Sequence, residues 1–230
     1  MQRRLFWAGL SATLALSSAC DQATGPTINT TPLPTTVGSG VIVSEARPAE
    51  GFAALTVDGP LQVVVEQTGA ESLVITADDN IVPLVTSEVR GGRLFLGYVP
   101  RASFSSTRGV VCRVTAAAVR DLGATGAARV EMKGVDLDRL DARLSGASTL
   151  EAAGTVERLA LDVSGASRWS SAGLGSRTVT AEVTGTSYAL VRAGDQLVAT
   201  VSGVSVVEYV GDPVVTPSVS GLSVLRRVGP

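Results

Sequence analysis

The sequence predicts an all-β chain wound as a right-handed single-stranded β-helix, a solenoid with coils of about 18–20 residues and a less regular N-terminal half. Three observations point there. Near-copies of a Ser-Gly-x-Ser corner recur down the second half, and apolar residues alternate with polar ones in register across the copies. No window keeps a 3.6-residue period over a helical length.

The corners are Ser145-Gly146-Ala147-Ser148, Ser164-Gly165-Ala166-Ser167, Thr184-Gly185-Thr186-Ser187, Ser202-Gly203-Val204-Ser205 and Ser220-Gly221-Leu222-Ser223. Their glycines lie 19, 20, 18 and 18 residues apart, and a weaker relative, Thr125-Gly126-Ala127-Ala128, precedes them by 20. Eight places after a corner glycine comes another, at Gly154, Gly173, Gly211 and Gly229, with Ala193-Gly194 one place late. Two glycines per period predict two corners per coil.

Two places before each corner glycine stand Leu144, Val163, Val183, Val201 and Val219; four before stand Ala142, Leu161, Ala181, Ala199 and Pro217. That alternation is the mark of strands burying one face. Beyond the corner, Leu150, Trp169, Ala189, Val207 and Leu225 carry the inward set onward. At about 3.3 Å per residue one period has a contour of about 60 Å, enough for a small flattened or triangular coil and too little for a βαβ unit. Each coil then rises about 4.8 Å and adds one aliphatic layer. Ser148, Ser167, Ser187, Ser205 and Ser223 would stack into a hydroxyl ladder that satisfies corner backbone groups.

The first twenty residues read as an export signal. Arg3 and Arg4 precede an apolar stretch from Leu5 to Leu16, too short to span a bilayer, and Ser17-Ser18-Ala19-Cys20 supplies a small-residue cleavage context. The segment resembles a bacterial lipoprotein signal, which implies cleavage before Cys20 and a lipid on its thiol, although Leu16 stands one place early. An ordinary secretory signal cut near Ala19 is the other reading. Residues 21–39, rich in Thr and Pro, read as a disordered tether, and 40–230 as the β-helical domain. Within the opening half, Phe52, Leu55, Val57, Leu61, Val63 and Val65 alternate through the Asp58-Gly59-Pro60 corner. A short apolar run follows at Leu73 to Thr76, and Gly91-Gly92 leads into Arg93-Leu94-Phe95-Leu96. This half is expected to hold opening coils plus a cap, because an uncovered end exposes unpaired strand backbone.

Composition narrows the chemistry. The chain has 230 residues, 45% hydrophobic but 4% aromatic, so burial comes from many small contributions by Val, Leu and Ala. A formal net charge of −2 offers nothing to a polyanion, and no nucleic-acid partner is expected. With no histidine there is no Ser-His-Asp or Cys-His pair and no His-ligated zinc, and no cofactor is expected. Carboxylate-based glycan cleavage and calcium binding need no imidazole. Once Cys20 is modified, Cys112 stands alone among Val110, Val111 and Val114, and reads as a small buried apolar group.

Two surface features are candidate sites. Stacking would bring Arg143, Asp162 and Glu182 into one outward row, with two carboxylates about 5 Å apart on neighbouring coils. A cation could bridge them; in the plainer arrangement Arg143 pairs with Asp162 and water solvates Glu182. Val204, Val206, Leu222 and Val224 make the outer face apolar where earlier coils hold Ala147, Thr149, Ala166 and Arg168. That points to an association face for a second copy, a folded-back N-terminal segment or a partner. Asp78-Asp79-Asn80 lacks the alternating spacing of a calcium loop and reads as a turn. Trp169, at an inward place, reads as core rather than as a sugar platform.

Taken together, Phe52-x-x-Leu55-x-Val57-x-Gly59, Ala77-Asp78-Asp79-Asn80-Ile81, Gly91-Gly92-x-Leu94, the serial corners and Tyr209-Val210-Gly211-Asp212-Pro213 carry a family likeness. From about Gly40 onward the chain resembles the auto-transporter adhesin head GIN domains of exported bacterial proteins. The resemblance implies a β-helical fold and an envelope or cell-surface location, with no family-wide catalytic residues to carry over. A literal Gly-Ile-Asn tripeptide is absent. The expected function is that of an exported, lipid-anchored, non-enzymatic envelope protein of a bacterium, acting as a structural, adhesion or interaction module. Expected partners are the membrane, through the anchor, and a second copy, an envelope component or a glycan. The alternative is a carbohydrate-binding or carbohydrate-cleaving β-helix. Cleavage needs carboxylates converging in a groove, and the sequence offers Asp162 and Glu182 without a long loop to wall one.

Overall fold

A computed structural model describes residues 35–106 and 108–229. The export segment with Cys20, and the tether as far as residue 34, lie outside the described residues. In chain order come β1 (Thr36–Val37), β2 (Ile42–Arg47), β3 (Ala54–Asp58), β4 (Leu61–Gln67) and β5 (Ser72–Asp78), then a 3-10 turn at Val82–Leu84. After it come β6 (Val85–Arg90), β7 (Arg93–Tyr98), β8 (Phe104–Ser105), β9 (Val110–Ala116) and β10 (Asp121–Thr125). The repeat itself forms β11 (Arg129–Leu144), β12 (Thr149–Val163), β13 (Arg168–Val183), β14 (Tyr188–Val201), β15 (Val206–Val210), β16 (Val214–Val219) and β17 (Val224–Gly229).

The chain forms a β-solenoid of about five turns. Each repeat copy pairs in parallel with its equivalent in the next, and the register sets Leu144, Val163, Val183, Val201 and Val219 in one column. The first four are buried, as period-two burial requires.

At the first corner the glycines stack as predicted. Gly126, Gly146, Gly165, Gly185, Gly203 and Gly221 all have positive φ, and a Cβ at Gly165 would lie 2.5 Å from the Gly146 carbonyl oxygen. Only glycine tolerates both the left-handed backbone and that approach. The hydroxyl ladder is present as well: the Ser205 hydroxyl donates to the Gly185 carbonyl at 3.2 Å and accepts from the Ser187 N–H at 3.3 Å.

The second corner departs from the glycine pattern. Gly154 and Gly211 have positive φ, but Gly173, Gly194 and Gly229 do not. The register slips instead, between Met132 and Val135, Glu151 and Ala153, and Ser170 and Gly175, so that Gly173 lies beside Ala153 rather than Gly154. Bulges that bend a continuous strand make this turn, so it needs no glycine in every copy.

The first half winds differently from a simple run of opening coils. β3 lies between β7 and β10, and β4 between β9 and β11, all in parallel, so the β3–β4 layer sits inside the stack. Gly59 backs directly onto Gly126 although 67 positions separate them. Antiparallel strands then close the end, β6 on β7, β5 on β9 and β2 on β5. The tether boundary also moves: Thr36–Val37 pairs with Phe104–Ser105, so the fold begins before Gly40.

Candidate functional site

The charge row is assembled in register, Arg143 beside Asp162 and Asp162 beside Glu182, with Thr200 next. The expected Arg143–Asp162 pair does not form. Gly123 is the register partner of Arg143 on the other side, and the guanidinium reaches past that bare position to Asp121 at 3.4 Å, which Arg93 also contacts at 3.0 Å. Asp162 and Glu182 have no ion-pair partner among the described residues. Nor do any three His, Cys, Asp or Glu side chains among the described residues group as a metal site.

The apolar face is real in geometry. Leu222 is 80% exposed, Val204 55% and Val224 44%, while Val206 is half-buried between Tyr188 and Val224 in its row. Polar contacts border it: Arg168 lies 4.1 Å from the Tyr188 ring centroid, and Glu208 takes the Tyr188 hydroxyl and the Arg226 guanidinium. These donors, the Tyr188 hydroxyl first, hold the Glu208 carboxyl below its ordinary range. The face lies in the last two coils, at the opposite end of the strand order from β2.

At that opposite end the Asp78 segment does more than turn. Asp78 is fully buried; its carboxylate accepts from the Gly40 N–H at 2.8 Å and the Ser106 hydroxyl at 2.6 Å. Those donors, Ser106 foremost, hold its carboxyl below the usual range. Gly38 passes so close that a Cβ there would lie 2.7 Å from the carboxyl. Asn80 accepts from the Ser39 N–H and donates to the Val37 carbonyl. The segment is a clamp that ties the leading strand to the closed end of the solenoid. Sequence reasoning missed it, because a turn and a clamp use the same residue types; the one signal was an Asp directly continuing an alternating strand.

Cys112 is fully buried, and burial pushes its thiol up to about 12, which keeps it inert. Trp169 is also fully buried, with its indole N–H donated to Ser171, so its ring is core and its polar edge is satisfied.

Sequence reasoning also missed a groove of about 930 Å³ along the second corner. The register slips that bend the coils leave a concave flank there, with Asp136, Asp138, Glu157, Arg177 and Arg192 around it and Gly175, Ser176, Ala193 and Gly211 beneath. Arg177 contacts Glu157 at 3.5 Å and Asp195 at 2.7 Å. Asp162 and Glu182 line a separate and smaller hollow of about 240 Å³, with Asp141 and Arg143.

Residues 51–213 match the family described as "Putative auto-transporter adhesin, head GIN domain". The chain belongs to this family. Solved structures share the fold of the head GIN chain. A "putative adhesin" of Bacteroides fragilis superposes with a TM-score of 0.70 at 19% identity, over 84% of this chain and 99% of its own. A "putative lipid binding protein" of Parabacteroides distasonis gives 0.57 at 18%, over 85% and 100%. A "putative adhesin" of Parabacteroides merdae gives 0.55 at 18%, over 84% and 99%. No curated protein matches the sequence.

Proposed function

We propose that this head GIN chain is an exported, envelope-associated, non-enzymatic adhesion module, held to a bacterial membrane by a lipid on Cys20. The observation that carries the reading is the polarity of the solenoid. The leading strand is clamped at the closed end by Asp78 and Asn80, so the coils extend away from the point where an N-terminal anchor would pull. Family membership supports adhesion, and a stack of coils paired in register supplies a stiff spacer. The apolar face of Val204, Val206, Leu222 and Val224 then serves self-association, since a two-fold axis buries such a face against its own copy.

Two measurements test this. Expressed in a bacterial host, the full chain should incorporate radiolabelled palmitate, and Cys20→Ala should abolish the label; equal labelling rejects the anchor. Beads coated with the full chain should be retained on a surface of immobilised bacterial envelope material above uncoated beads, and equal retention rejects adhesion.

A further inference from the structure

The groove along the second corner has a chemistry specific enough to name its ligand class. Its charged groups come in equal numbers, Asp136, Asp138 and Glu157 against Arg120, Arg177 and Arg192, so it has no net field to gather a polyanion or a polycation. No aromatic ring lines it, and apart from Leu137 and Val156 its floor is small residues and backbone, so a flat apolar ligand would find little to bury against. What it presents is planar hydrogen-bonding groups: carboxylates that accept and guanidinium groups that donate in pairs.

Several of these groups are unspent. Asp138 has no ion-pair partner among the described residues, and Arg192 donates its Nε to the Ala172 carbonyl without meeting a carboxylate. Ser176 beneath the groove belongs to a buried column between Val156 and Ala193, where its hydroxyl is closed off and takes no part in binding. The groove crosses successive coils at about 4.8 Å per step, so its polar groups recur along the solenoid axis.

We infer that this groove binds a neutral polysaccharide chain lying along the solenoid axis. Neighbouring sugar hydroxyls both donate and accept, so one diol can serve Asp138 and another Arg192, and a neutral chain needs no compensating field. This rests on the adhesion reading and names the class of surface polymer that would be gripped.

The test applies the full chain to an array of immobilised neutral, acidic and amino glycans, followed by calorimetry on the strongest binder. Neutral glycans should dominate. Asp138→Asn and Arg192→Ala should each weaken the affinity roughly tenfold or more, while Glu182→Gln, on another face, leaves it unchanged. Ser176→Ala, which removes a hydroxyl closed off beneath the groove, should leave the affinity unchanged as well. The inference is overturned by a silent array, by a preference for acidic or amino glycans, or by an affinity that the groove variants do not change. If the array is silent while coated beads still adhere to envelope material, the groove assignment falls and adhesion stands; if the beads fail too, both fall.

Discussion

Val183 and Val219 occupy the same place in the repeat, two residues before a corner glycine, yet Val183 is fully buried and Val219 is 45% exposed. Val183 has a coil on each side, while β16, which carries Val219, pairs among the described residues with β14 alone. Burial in this fold therefore belongs to the stack rather than to the strand: alternation says which residues face inward, and neighbouring coils decide whether inward means dry. At the other end β2, β5 and β6 supply that cover, so Leu73 and Leu94 are buried without belonging to the repeat.

The sharpest way to break this contrast is at the widest side chain in the column. Trp169→Ala should cost about 3–5 kcal/mol in chemical denaturation, because a ring closed in on both sides leaves a cavity. A cost under about 1 kcal/mol would mean the middle coils are not packed. Next comes the corner. Gly165→Ala should cost roughly 3 kcal/mol, since its Cβ must displace the neighbouring backbone, whereas Gly69→Ala, with a similar φ and open space, should cost about 1–2 kcal/mol. Equal costs would remove the stacking from the explanation.

Leu144→Ala and Val219→Ala sharpen the comparison directly, with about 3 kcal/mol expected for the first and under about 1 for the second. Asp78→Asn tests the closed end through pH. The folded-state carboxyl titrates below its unfolded value, so its contribution is present above the ordinary carboxylate range and lost as pH falls through the lowered value. Melting-temperature differences between wild type and variant should shrink on acidification from pH 6 to strongly acid conditions; a difference that does not change with pH removes the ionised clamp. The smallest effect on stability is expected from Val206→Glu with Val224→Glu, which should leave the melting curve nearly unchanged while reducing the mass seen by light scattering. A parent already monomeric would end the self-association reading.

The repeat half was legible because five copies could be laid over one another, and alignment turns a weak alternation at any one strand into a column. The corner glycines and the serine ladder were legible for the same reason. The opening half offered no second copy, so nothing in its sequence said that β3 would lie between β7 and β10, or that β5 would run antiparallel to β9. The Arg143 pairing failed because register fixes which rows meet, while a long side chain beside Gly123 can choose either neighbour. The groove was invisible because it comes from the slips between copies, which an alignment on the first corner treats as noise.

Everything turns on the register of neighbouring coils, and paired cysteines read it most directly. Asp162→Cys with Glu182→Cys, in a Cys112→Ala background, places two exposed thiols side by side on adjacent strands. Mild oxidation of the full chain should close that pair, while Asp162→Cys with Thr178→Cys, four places out of register, should stay reduced. Ready closure of the second pair, with none in the first, would contradict the stacked solenoid.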